Sequence, residues 1–428
     1  MQTKVKVESP EIQLIRSTAE ILFTNGQSTK KLLHDLGQLA GKLGYESQIL
    51  PQWGGLSIEL HGGIHGKPDR TLILSMRPSG VQMNKVKLAT LVIDQFIAGS
   101  LTIEQAMRGI EEVDESAPCS LIRFIAMSAV GAASLGVIFG VLDPKLLGLV
   151  MLSAGIGALL RRLTSAVSNS LYSQVLVAAV FTGAFGSLVD SYHLSPAGTF
   201  IFLCPCMILV PGPHLLNGIF DIARGDVGIG LSRLAYAITI LVVICVGLVG
   251  ALAFRNQSLT LYVSTGNLPL PYYLLAVCGA VAAYGSFFSM SWRDTCIPVF
   301  IGAVAFLFRY CLAFVDGRSV VTGVFIASLV AGVMASLLAS KTQLPFAALA
   351  FSSVVAMIPG SYLFRMADYL FNLYQLGVDA PSQVSFLALN QGVTALMIVL
   401  AISLGVVFPK LCIDHFLDKR SQFHIASL

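Results

Sequence analysis

Charge is what this sequence has least of. Only 12% of its 428 residues are charged, 55% are hydrophobic, and mean hydropathy is +0.78. A soluble domain carries roughly 25% charged residues, so a water-soluble fold is excluded for most of the chain. The shortage is uneven. Residues 119–428 hold 15 Lys/Arg and ten Asp but no Glu, whereas residues 1–118 hold 12 Lys/Arg and 13 Asp/Glu. The net charge of +4 therefore reflects bases in loops, not a surface for nucleic acid. Cysteine is scarce in any useful pattern. Of eight, Cys204, Cys206, Cys245, Cys278, Cys296 and Cys311 lie in or beside apolar runs, which argues against a disulfide framework. No His/Cys cluster has zinc spacing, and Cys204-Pro205-Cys206 reads as small buried side chains rather than a soft-metal pair. Gly66-Lys67-Pro68 resembles the end of a P-loop but lacks its first Gly and its Ser/Thr. His61 and His65 read as turn residues rather than metal ligands. No G-x-S-x-G elbow occurs, no cofactor is called for, and nothing suggests an enzyme.

What the chain has is long apolar runs. A helix of about 20 apolar residues crosses a bilayer, and ten such runs fall at about 121–142, 145–161, 171–190, 197–211, 227–254, 271–290, 295–313, 319–340, 344–359 and 383–408. The chain reads as a polytopic α-helical membrane protein with its lipid bilayer as solvent. Small residues recur at four-residue spacing, as in Gly136/Gly140, which lets helices approach closely. Before the spans, Ser9–Gly44, Lys85–Ala98 and Thr102–Val113 carry helical periodicity. Gly26 and Gly44 read as helix ends, and Ser100, Thr102 and Glu104 mark the last start. Leu56–Leu60 and Thr71–Met76 read as two short strands. Residues 1–118 are therefore a small cytoplasmic α+β domain, without a secretory signal at Met1–Glu20. Basic residues number ten on the inner loops and ends and five on the outer ones, so both termini are expected inside.

One stretch organises the rest: Ile208–Asp226, ILVPGPHLLNGIFDIARGD. Pro211, Gly212 and Pro213 break a helix inside an apolar run, where freed backbone must be satisfied by protein or water. The break recurs at Met357–Asp368, MIPGSYLFRMAD, with Pro359 and Gly360 displaced by 359 − 211 = 148 residues. In that register Gly131 falls on Gly279, Lys145 on Arg293, Arg161 on Arg309 and Leu215 on Leu363. Each half then holds five spans, residues 119–256 and 268–410, followed by a tail at 411–428. Five is odd, so the second half is inverted. Inverted repeats with interrupted helices are the pattern of a secondary transporter, with substrate held at the repeat interface.

The candidate residues follow from the breaks. Pro211, Gly212, His214, Asn217, Pro359, Gly360 and Ser361 would line the substrate pathway. Backbone N–H groups freed after each Pro-Gly favour a carboxylate, as would Arg161, Arg309 and Arg365 turned inward. Asp221, Asp368 and Asp190 are the candidates for proton coupling. The competing reading makes the Asp and Arg residues solvated interface residues.

At these residues the chain resembles the threonine/serine exporter family. Pro211, Gly212, Leu215, Asn217 and Asp221 match its first Pro-Gly segment, and Pro359, Gly360 and Ser361 match the second. ILFTNGQSTKKLLHDLGQLAGKLGY, residues 21–45, is similar to its first helices. The resemblance implies efflux of small polar amino acids across a bacterial inner membrane, driven by protons. Some relatives split into two chains and resemble succinate exporters, and Arg365 stands where the first half has Asn217. A dicarboxylate exporter is therefore the alternative, with a membrane receptor as the remaining non-transport reading. Assembly into a homo-oligomer stays open.

Overall fold

The computed structural model describes residues 9–62, 66–76, 81–191, 200–253, 268–377 and 380–426. The amino-terminal domain runs α1 (Pro10–Thr24), α2 (Thr29–Lys42), β1 (Glu46–Gln52), β2 (Gly55–His61), β3 (Arg70–Ser75), α3 (Met83–Ile97) and α4 (Ile103–Glu115). Pro10 opens α1, where a missing N–H costs nothing. Gly26 lets the chain turn out of it at φ +90°. Thr102 caps α4 as expected, but the reciprocal acceptor is Gln105 rather than Glu104.

The three strands form an antiparallel sheet in the order β1-β2-β3, with Ile58 opposite Ile49 on one side and Leu72 on the other. β1 is the strand that periodicity missed. It carries Pro51 and alternates only between exposed and half-buried positions, as an edge strand does. Leu56, Ile58 and Leu60 of β2 point inward onto the helices, and the core they join includes Ile229 of the membrane part. The domain therefore completes its core on the bundle. Trp53 and Gly54 make the tight turn between β1 and β2, with Gly54 at φ +93°.

The membrane part begins with α5 (Leu121–Ile138), α6 (Pro144–Val167), α7 (Leu171–Ser191), α8 (Phe200–Met207), α9 (Gly212–Ala223) and α10 (Val227–Ala253). It continues with α11 (Leu270–Phe287), α12 (Trp292–Tyr310), α13 (Val320–Thr342), α14 (Phe346–Val354), α15 (Gly360–Leu376) and α16 (Ser382–Ala426). Among the described residues eight helices are long and apolar enough to span a bilayer, and ten if each bent pair is one span. The bends are 51° between α8 and α9 and 62° between α14, extended by one 3₁₀ turn, and α15. Two boundaries differ from the sequence expectation. Helix α6 continues to Val167, so Arg161 and Arg162 lie inside it rather than at its end. The fourth span of each half also does not stop at Pro-Gly; a second helical arm follows the bend.

The halves are related by inversion. Helices α5 and α11 pack antiparallel, with Phe124 stacked on Phe287 at 5.9 Å between ring centroids, Gly131 against Ala283, and Ser134 against Gly279. Applying the offset, 131 + 148 = 279 and 283 − 148 = 135, one residue from Ser134. The contact maps onto itself when the halves exchange, which requires a two-fold axis across the helices rather than along them. Neighbour relations repeat too: α5–α6, α6–α7, α7–α10 and α9–α10 match α11–α12, α12–α13, α13–α16 and α15–α16. The start of α5 and the end of α11 meet at one end of the bundle, where the Cys119 N–H donates to Ser289 Oγ at 3.2 Å. The domain sits at that same end, with the Met83 N–H donating to the Phe288 carbonyl at 2.9 Å and Lys87 paired with Asp294 at 2.7 Å.

Candidate functional site

The two breaks have the same local hydrogen bonds. The Gly212 N–H reaches back to the Val210 carbonyl at 2.9 Å, and the Gly360 N–H to the Ile358 carbonyl at 2.9 Å. The Leu215 and Leu363 N–H groups donate to the carbonyls of Pro211 and Pro359 at 3.3 and 3.1 Å. Pro211 and Pro359 adopt similar backbone angles, φ −81° ψ 62° and φ −79° ψ 41°. The local sequence therefore dictates the bend, since proline removes a ladder donor and fixes φ.

The breaks also meet each other's repeat. A Cβ on Gly212 would overlap the ring of Phe351 in α14, and a Cβ on Gly360 would overlap the end of Met207 in α8. Each glycine thus marks a place where one repeat's break lies against the other repeat's short helix. Phe351 is held by Tyr284 and Phe288, at 5.7 and 6.3 Å between centroids. The Tyr284 hydroxyl donates to the Met207 carbonyl. Beside the first break, a small cavity of about 20 Å³, room for a single water, is lined by Ser128, Gly157, Thr182, Pro205 and Phe287, among others.

Helix α9 carries His214, Asn217 and Asp221 at spacings of three and four, hence on one face. All three are buried, and the amino-terminal domain covers that face. The Asn217 amide donates to the Gly26 carbonyl at 3.0 Å. Thr29 faces Asp221. Trp53 meets His214 edge-on at 6.3 Å and Tyr236 at 5.2 Å. Tyr236 in turn meets His214 at 5.1 Å and Tyr172 at 5.6 Å. Asp221 lies 3.2 Å from Arg233 of α10, and both side chains are almost fully buried, 2% and 5% exposed. That distance makes an ion pair, but the atoms are misaligned for a hydrogen bond. Further along, Asp414 of α16 gathers Arg224 at 2.5 Å, Lys410 at 2.6 Å and Lys30 at 3.8 Å.

The arginines occupy equivalent places. Arg161 stacks over Phe287 at 4.4 Å and lies within electrostatic reach of Tyr236, and its Nη1 has no partner among the described residues. Arg309 stacks on Phe306 at 5.3 Å, faces Tyr362 and Tyr273, and keeps an unpartnered Nε. Arg365 is half-buried on α15 with its Nε unpartnered, and Ser361 is half-buried beside the second break. In the 148-residue register Asp221 aligns with Tyr369, so Asp368 falls one position short, about 100° around an ideal helix. The side chains of Asp190 and Asp368 lie outside the described residues, as does His65 of the histidine pair; His61 is 3.5 Å from Asp69 instead. Cys204 and Cys206 are buried in α8, with Cys206 hydrogen-bonded to Thr182 at 3.2 Å. No group of three metal-ligating side chains occurs among the described residues.

The structure thus gathers His214, Asn217 and Asp221 on one covered face. It adds Trp53, Tyr172, Tyr236, Arg233, Phe351 and Met207, which the sequence reading did not single out as site residues. Two of these carried a visible signal: Arg233, which with Gly225, Asp226 and Gly230 continues the first family-like segment, and Trp53, one of two tryptophans and the residue before a Gly-Gly turn.

Comparison with known families places both halves. Residues 13–255 match the family described as putative threonine/serine exporter, and residues 273–412 match threonine/serine exporter, ThrE. No curated protein and no solved structure matches the chain.

Proposed function

The chain belongs to the threonine/serine exporter family, a family of multi-pass membrane transporters, and on that premise we propose that it exports small hydroxyl-bearing amino acids by alternating access between its two breaks. The observation that carries this is the reciprocal packing of Gly212 on Phe351 and Gly360 on Met207. We read this contact as the surface on which one repeat rocks against the other around a fixed site. The units are the domain at 1–118, the repeats at 119–256 and 268–410, and the tail at 411–428. We place the protein in a bacterial inner membrane with both termini cytoplasmic. What supports this is the excess of basic residues at one end, together with the meeting of Lys30 and Asp414 at that end.

The pathway residues are Pro211, Gly212, His214, Asn217, Pro359, Gly360, Ser361, Arg161, Arg309 and Arg365. Protons drive export, and Asp221 is the leading carrier ahead of Asp368 and Asp190. Its support is the buried pairing with Arg233, because a proton on the carboxylate removes the attraction that ties α9 to α10. The groups around it are Arg233, Arg224, Asp226 and Thr29. Counterflow into proteoliposomes, with labelled threonine and labelled succinate side by side, tests the reading. Threonine exchange is expected; exchange of succinate alone would overturn it.

A further inference from the structure

We propose that Arg161, His214 and Tyr236, completed by Trp53 of the amino-terminal domain, form a binding site for a small amino-acid zwitterion on the domain's side of the first break. The proposal deepens the transporter reading and rests on it. Its starting point is two polar atoms that folding leaves unused. Arg161 Nη1 and His214 Nε2 are buried, and neither has a hydrogen-bond partner among the described residues. Leaving such groups unpaired costs more than a hydrogen bond returns, and native interiors rarely do it without a reason. His214 is only 7% exposed.

The surroundings say what the missing partner is. The side chains about the two atoms are aromatic and basic: Phe287 stacks on Arg161 at 4.4 Å with Arg162 within electrostatic reach, and Trp53 and Tyr236 meet His214 at 6.3 and 5.1 Å with Arg233 within electrostatic reach. Asp221, the acid nearest along α9, is two turns from His214 and already paired with Arg233. A buried arginine without a counter-ion among the described residues, with further positive charge nearby, calls for a ligand that brings a carboxylate. The faces of Trp53, Tyr236 and Tyr172, clustered within 5.2–5.6 Å of one another through Tyr236, suit an ammonium group through its attraction to the ring quadrupole. His214 Nε2 is left for a side-chain hydroxyl. A carboxylate, an ammonium and a hydroxyl on one small frame describe a hydroxy amino acid. A dicarboxylate would bring no cation for the rings.

Trp53 makes the site readable. The chain has two tryptophans, Trp53 and Trp292, and Trp292 lies over Arg123 at the other half's α12. Trp292→Phe leaves Trp53 as the sole indole in the full-length protein. Titration with threonine or serine is expected to change Trp53 emission saturably. Threonine amide, which lacks the carboxylate, should bind roughly 10- to 100-fold more weakly, the scale of a lost hydrogen bond to a charged group. Arg161→Gln should weaken threonine by a similar factor while leaving the ligand-free emission of Trp53 in place. Threonine counterflow is measured on the same Trp292→Phe protein. Counterflow with a silent Trp53 would overturn the site and leave the exporter reading standing. A Trp53 response without counterflow would support the site and overturn the exporter reading. Equal responses to threonine and its amide, or to threonine and succinate, would overturn the assignment of Arg161 and the zwitterion respectively, and they need no variant at the site to read.

Discussion

Replacing Gly212 by alanine is the sharpest test of how the breaks work. The backbone there is ordinary helix, and alanine is the better helix former, so propensity predicts a neutral or stabilising change. The tertiary structure predicts the opposite, because the new Cβ would overlap the Phe351 ring. That ring cannot swing aside. Phe351 is 5% exposed, Tyr284 and Phe288 press on it, and Tyr284 is tied to the Met207 carbonyl. Overpacking of a filled core costs about 1–3 kcal/mol. At 1.36 kcal/mol per factor of ten, the state with the breaks packed together loses roughly 5- to 150-fold in population. Threonine counterflow in proteoliposomes should fall by a comparable factor at equal protein insertion. Gly360→Ala meets only the flexible end of Met207, so its loss should stay below about fivefold. Phe351→Leu gives the methyl group room, and Gly212→Ala/Phe351→Leu should recover most of the rate. Wild-type counterflow in Gly212→Ala would refute the reasoning, as would a double variant no better than the single one.

Asp221→Asn leaves Arg233 buried without its counter-charge, a loss of about 3–5 kcal/mol, so the melting midpoint should drop, and Arg233→Gln in the same protein should restore it. Both variants should lose export driven by a pH gradient, while the double variant keeps counterflow; gradient-driven export by the double variant would remove Asp221 from coupling. In the amino-terminal domain, burial raises the Asp35 carboxyl above the ordinary carboxylate range, against the pull of Lys31. The folded state then holds its proton at pH values where the unfolded chain has released it, so Asp35's contribution to stability falls as pH rises from about 4 through the folded value. Asp35→Asn should accordingly raise the thermal midpoint of the full-length protein at pH 7 and flatten its pH dependence, and a lowered midpoint would count against that balance.

The sequence alone determined class, the apolar runs that give eight spans, or ten with each bent pair as one, and the repeat, and the physical reason is that each is a one-dimensional property. Bilayer thickness converts an apolar run directly into a helix, and an odd number of spans converts a duplication into an inversion. Pro211-Gly212 and Pro359-Gly360 were legible for the same reason, since proline acts on its own turn. Strand β1 was not, because an edge strand with Pro51 buries no alternating face and leaves no period to read. The site was half legible. His214, Asn217 and Asp221 stood out as polar residues on an apolar helix, but their partners lie far away in sequence: Gly26 for Asn217, Trp53 for His214, Phe351 for Gly212. Contacts of that kind depend on which surfaces meet after the chain has folded, and no local pattern encodes them. Only the tertiary structure decided that the domain before the first span covers the first break, and that Arg161 Nη1 and His214 Nε2 there have no hydrogen-bond partner among the described residues.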